Sequence, residues 1–201
     1  MSELFAFLQV GLHHIVALDA ADHILFLLVL AAIYRGRDWR SALWVISAFT
    51  VGHSITLALA VTNVLTLPTK VVEFLIPVTI VVTGIENLVW RERTATGTHA
   101  RHRPVLAALF GLVHGAGFAG YLKSLFVEHI ALPLLGFNIG IELGQMVVLV
   151  AAAALYYVVD TALSLVPSER VARNSYQSRL IGVSVVIVAI ASGWAVERWP
   201  R

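Results

Sequence analysis

Histidines and carboxylates recur inside stretches that are otherwise fit only for hydrocarbon. The run ALDAADHILFLLVL (17–30) opens with Asp19, Asp22 and His23. His53 lies in AFTVGHSITLALA, His114 in FGLVHGAGFAGYL and Glu142 in FNIGIELGQ. Ionisable groups are costly inside a bilayer and, where they occur, face a protein interior or a water-filled cavity. The chain has no cysteine, which removes disulfides, thiolate nucleophiles and thiolate metal ligands together. A metal held here would take imidazole nitrogen and oxygen, a donor set suited to nickel, cobalt, zinc, iron or manganese. Histidine is the commonest metal ligand, and carboxylates complete the shell or orient the rings. The expected metal ligands are Asp22, His23, His53, His114 and Glu142.

Helices must carry these residues. Of the 201 residues, 59% are hydrophobic and 13% charged, against roughly 25% charged in a soluble domain. The mean hydropathy is +0.85. These values predict an all-α polytopic membrane protein, with residues 1–201 forming one transmembrane domain. A span needs about 20 apolar residues, and six candidates fall roughly at 13–34, 42–62, 71–90, 104–122, 131–158 and 180–197. The opening MSELFAFLQV reads as an amphipathic lead-in, without the basic start of a signal peptide. Arginines concentrate after the first, third and fifth spans: Arg35, Arg37 and Arg40; Arg91, Arg93, Arg101 and Arg103; Arg170, Arg173 and Arg179. The positive-inside rule makes those loops cytoplasmic and puts the N-terminus outside. The expected location is the cell (inner) membrane. A net charge of +2 suggests no nucleic-acid partner; the expected partners are a metal ion, the bilayer and other copies of the chain.

Depth brings the polar residues to one level. His23 lies about nine residues into the first span, His53 and His114 about eleven and ten into the second and fourth, and Glu142 about eleven into the fifth, so each nears the middle of a core about 30 Å thick. Asp19, Asp22, His23 and Phe26 share a stripe of the first span; Phe49, Gly52, His53 and Thr56 share one on the second. Asn138, Glu142 and Gln145 form a face of the fifth. Gly136, Gly140 and Gly144 make a separate small-residue stripe there, and Gly111 and Gly115 another on the fourth, of the kind that lets membrane helices pack closely. FTVGHS (49–54) and FGLVHG (110–115) share a Phe-x3-His pattern, on helices expected to run the same way.

The remaining polar residues have roles around this site. Asn138 and Gln145 would support the ligands, with Thr56 on the face of His53. His14 would sit near the outer rim, Asp19 would cap a helix start or help access, Glu73 would cap or line a mouth, and Glu86 with Asn87 would lie near the inner end. His99, His102 and His129 read as loop histidines, and the sixth span as scaffold. Three functions fit. A permease needs polar positions leading from the site to both faces. A zinc-dependent intramembrane hydrolase would use Glu142 or Asp22 as general base and Ser54 for an oxyanion, acting on a lipid-like amide or ester. A structural subunit would need no metal. Polar positions at both ends (His14 and Asp19; Glu86 and Asn87) favour the permease.

Five ordered motifs, HHIVALDAADHILFLLVLAAIY, AFTVGHSITLALA, EFLIPVTI, FGLVHGAGFAGYL and FNIGIELGQ, resemble the HupE/UreJ membrane proteins over residues 10–150. The resemblance implies nickel or cobalt uptake beside hydrogenase and urease maturation. The chain departs from the related nickel permeases, whose first motif is His, five residues, then Asp-His: here His14 precedes Asp22-His23 by seven residues. In the second motif, Phe110 and Gly117 stand where a histidine and a glutamate would be.

Overall fold

A computed structural model describes residues 3–17, 20–35, 38–89, 102–125, 130–168, 171–172 and 174–200. Among them the chain forms seven helices: α1 (Glu3–Val16), α2 (Ala21–Ala31), α3 (Trp39–Val61), α4 (Thr69–Val89), α5 (His102–Leu125), α6 (Ala131–Ser164) and α7 (Ser175–Glu197). Helices α3 to α7 are each long and apolar enough to cross a membrane, and α1 with α2 make a sixth span if taken together. The protein is a multi-pass membrane protein. Hydrocarbon offers the backbone no hydrogen-bond partner, so each span closes its own ladder as a helix.

Where the sequence predicts one span over 13–34, the chain forms two helices whose axes differ by 68°. The first begins at Glu3, and its Gly11 and Ile15 are buried. Glu3, Gln9 and His13 give the opening segment the composition of an interfacial helix, yet its apolar side is covered by α6. Hydropathy reports composition and does not register a break. Asp19, with Arg37, Arg91, Arg93, His99, Arg101, His129, Arg170 and Arg173, lies outside the described residues.

Glycines set the packing. On α6 a Cβ at Gly136 or Gly140 would overlap the carbonyl oxygens of Leu4 and Leu8, and one at Gly144 would press on Ile15. The opposed residues rise together, so α1 and α6 run parallel, backbone on backbone. Helices α3 and α5 repeat the arrangement: Gly111 lies against the Phe49 carbonyl, Gly115 against that of His53, and Gly52 against that of Ala108. The Phe-x3-His segments are therefore side by side and parallel. Helices α4 and α7 run antiparallel, with the rings of Phe74 and Trp199 5.0 Å apart and Gly84 facing Val188. Helix α3 gives way to a turn at Asn63, whose φ of 60° suits asparagine better than most residues.

Helix α2 has 11 residues, and the last carbonyls of a helix have no partner within it. Other helices supply donors to its last turn and to the two residues that follow it, the Leu28 carbonyl also accepting from Ala32 N at 3.0 Å. Tyr156 Oη donates to Leu28 O at 2.7 Å, Asn87 Nδ2 to Val29 O at 2.6 Å, Arg179 Nη1 to Ala32 O at 2.9 Å and Tyr176 Oη to Ile33 O at 2.6 Å. Arg179, read from sequence as a loop charge, is 3% exposed because α7 begins at Ser175 rather than near 180. A guanidinium there also complements the negative end of the α2 dipole.

Glycine packing gives a direct test. Gly140→Val should force α1 from α6 and lower stability by about 1–3 kcal/mol, the usual cost of overpacking. Gly182→Ala, where a Cβ meets nothing within 4 Å, should leave stability unchanged or raise it, since alanine is the better helix former. Thermal unfolding in detergent compares the two.

Candidate metal centre

Four imidazoles converge where α1, α2, α3 and α5 meet. His14, His23 and His53 each offer a ring nitrogen, and the three atoms lie within 4.8 Å of one another. Nitrogens bound to one ion at about 2.1 Å can be at most about 4.2 Å apart, so small ring rotations would close the set. The His114 ring is centred 5.0 Å from that of His23. His53 and His114 are 0% and 1% exposed. His14 enters this group, rather than the rim where the sequence places it, because its span starts at Glu3.

Hydrogen bonds decide which nitrogens are available. Asp22 Oδ1 accepts from the backbone N–H of His23 at 2.9 Å and lies 3.0 Å from its Nδ1. With Nδ1–H donating to the carboxylate, the Nε2 lone pair is free. Thr79 Oγ1 donates its one proton to Ile76 O at 2.7 Å, so at 3.1 Å from His114 Nε2 it can only accept. His114 is thereby fixed as the Nε2–H tautomer with its lone pair on Nδ1. His14 Nε2, His23 Nε2, both nitrogens of His53 and His114 Nδ1 are buried without a hydrogen-bond partner among the described residues. Buried polar atoms are nearly always paired, and so many unpaired imidazole nitrogens in one place fit a cation with nitrogen ligands. Asp22 then serves by orienting the His23 ring and fixing its tautomer.

The surroundings are unequal. On one side a cavity of about 940 Å³ reaches His14, Asp22, His23 and His114 from Gln9, His13, Glu73, Tyr121 and Arg198 at the end of the bundle. Gly117 also lines it. On the other side aromatic rings close in: Phe26 and Phe49 are 4.9 Å apart, Phe26 and Phe110 6.3 Å. Beyond them is a void of about 10 Å³, room for about one water. Glu86 caps that end, its Oε1 2.5 Å from His102 Nε2 and 3.5 Å from Arg103 Nε, while Arg103 Nη2 donates to Asn87 Oδ1 at 3.1 Å. His102 and Arg103 thus belong to the start of α5, not to a loop.

Other expected site residues lie elsewhere. Glu142 accepts from Ser47 Oγ at 2.6 Å and is not in the converging group; Ser47 is about 9 Å along α3 from His53. Gln145 is fully buried and bonded to Thr50 at 2.9 Å. Asn138 Oδ1 is buried and has no hydrogen-bond partner among the described residues. Ser54 donates to its own helix at Thr50 O, 2.6 Å away, and Thr56 is buried one turn past His53. His13, which now lines the cavity, could have been noticed from its place beside His14.

The chain matches the family described as HupE / UreJ protein over residues 1–198. It belongs to the HupE/UreJ family. That family is of the nickel/cobalt transporter type, and the imidazole set of this HupE/UreJ protein is chemically suited to such ions. No curated protein and no solved structure matches the chain.

The two orienting contacts can be tested in this HupE/UreJ protein without touching a histidine. Asp22→Asn and Thr79→Val should each weaken nickel binding by about 10–100-fold, the usual effect of losing a group that orients a ligand. His53→Ala should abolish it. Calorimetric titration in detergent, beside melting curves, separates lost binding from lost fold.

Proposed function

We propose that this protein is a permease that carries a nickel- or cobalt-type divalent ion across the cell (inner) membrane, binding it at His14, His23, His53 and His114. The observation that carries this reading is the one-sided access: a wide cavity leads to the histidines from one end, and phenylalanines and a Glu86–Arg103 pair close the other. A site reached from one side and sealed from the other is what alternating access requires. The arginine distribution supports a cavity facing outward, as uptake needs. Glu73 at the mouth would draw cations in, and Glu86 would meet the ion once the aromatic layer parts. Glu142, Gln145 and Asn138, on the seam of α6 with α3, would assist that movement rather than ligate. A resident zinc hydrolase is the weaker reading, because Glu142 and Ser54 bond away from the histidines and only Asp22 remains as base.

Reconstitution tests it. Proteoliposomes loaded with a metal-sensitive dye should take up nickel or cobalt saturably, and His23→Ala and His53→Ala should reduce uptake to the level of empty vesicles. Absence of uptake for nickel, cobalt and zinc, with tightly held zinc in the purified protein, would overturn the permease.

A further inference from the structure

A second cavity, of about 590 Å³, lies between the start of α3, the later turns of α6 and the start of α7. It is separate from the histidines, and its walls change character along its length. One end is apolar, with Ala42, Leu43, Met146, Leu149 and Val150. The other carries Arg35, Trp39, Tyr157, Asp160, Tyr176 and Arg179.

Helix α6 has 34 residues and is about 51 Å long, well beyond a hydrocarbon core of about 30 Å. Asp160 is about 43 Å from its start and Met146 about 22 Å. The polar end therefore stands at headgroup level and the apolar end within the acyl layer. Exposed Trp39 and Tyr157 are the residue types that favour this interface.

Charge selects the occupant. Arg179 is neutralised by Asp160 at 2.8 Å and held against the α2 carbonyls. Arg35 lies over the Tyr176 ring at 4.1 Å, and the exposed Arg40 over Trp39 at 5.4 Å. Against these three guanidiniums stand two carboxylates, Asp160 and Asp38, which leaves an excess of positive charge beside an apolar trough. We infer that this groove is a binding site for one anionic phospholipid, its phosphate beside Arg35 and an acyl chain along Leu43, Met146 and Val150. Basic pockets between membrane helices bind acidic headgroups in this manner. The lipid would rest on Tyr156, Tyr176 and Arg179, which cap the helix bearing His23.

Native mass spectrometry of delipidated protein titrated with phosphatidylglycerol or phosphatidylcholine tests the site. Phosphatidylglycerol should be retained preferentially. Arg35→Gln should lower its retention by about fivefold, the effect of one basic side chain near a membrane surface. Ala153→Trp, on the exposed wall of the groove, should remove the preference, and Val150→Phe should do so if the first variant melts early. Equal retention of the two lipids overturns the proposal, as does a preference that survives the blocking variants. Displacement of the lipid by inorganic phosphate alone would make this a free-anion site and overturn it too.

Discussion

The backbones of α3 and α5 touch where Gly52, Gly111 and Gly115 carry no side chain, and this contact decides how near His53 and His114 can come. Gly115 rests on the carbonyl of His53 itself, so the residue next to His114 is the one that must be small. In lipid there is little hydrophobic force between helices, and such dispersion contact is a main source of association. The same contact puts Phe49 against Gly111 and hence beside the Phe26 layer below the histidines. One interface thus sets both the nitrogen donors and their seal.

The α1–α6 pair adds the second half of the arrangement. It carries His14 down beside the other rings, and α2 then departs at an angle with Asp22 and His23 at its first turn. A helix as short as α2 could not hold its place by its own ladder. Tyr156, Asn87, Arg179 and Tyr176 fix its far end by bonding its carbonyls, and these bonds link α4, α6 and α7 to the helix that bears His23.

Much of this was legible. Counting residues into each span placed His23, His53 and His114 at one depth, because rise per residue is nearly constant. The glycine stripes marked the close faces, since spacing of four is a surface property of any helix. Counting into a span fixes height only when the span's own start is placed correctly. Phe137, more than a turn before Glu142, is the α6 residue beside His14 and His53, while Glu142 meets Ser47. His14 was misplaced because the break after α1 has no mark in composition, and a span assumed straight began too late. Arg179 and Arg103 looked like loop charges because a guanidinium that bonds carbonyls inside a bundle has the same letter as one in water.

The inequality of the two cavities has an electrical consequence. Filled with electrolyte, a vestibule of about 940 Å³ would conduct, so little of a membrane voltage would fall along it. Nearly all of the drop would then lie across the thin septum of Phe26, Phe49 and Phe110. In the proposed permease, an ion among the histidines would sit at almost the potential of the solution on the open side, and its arrival there would be insensitive to voltage. The field would act on the step that follows, at about 2.3 kcal/mol per unit charge for each 100 mV, and a divalent ion would feel it twice over.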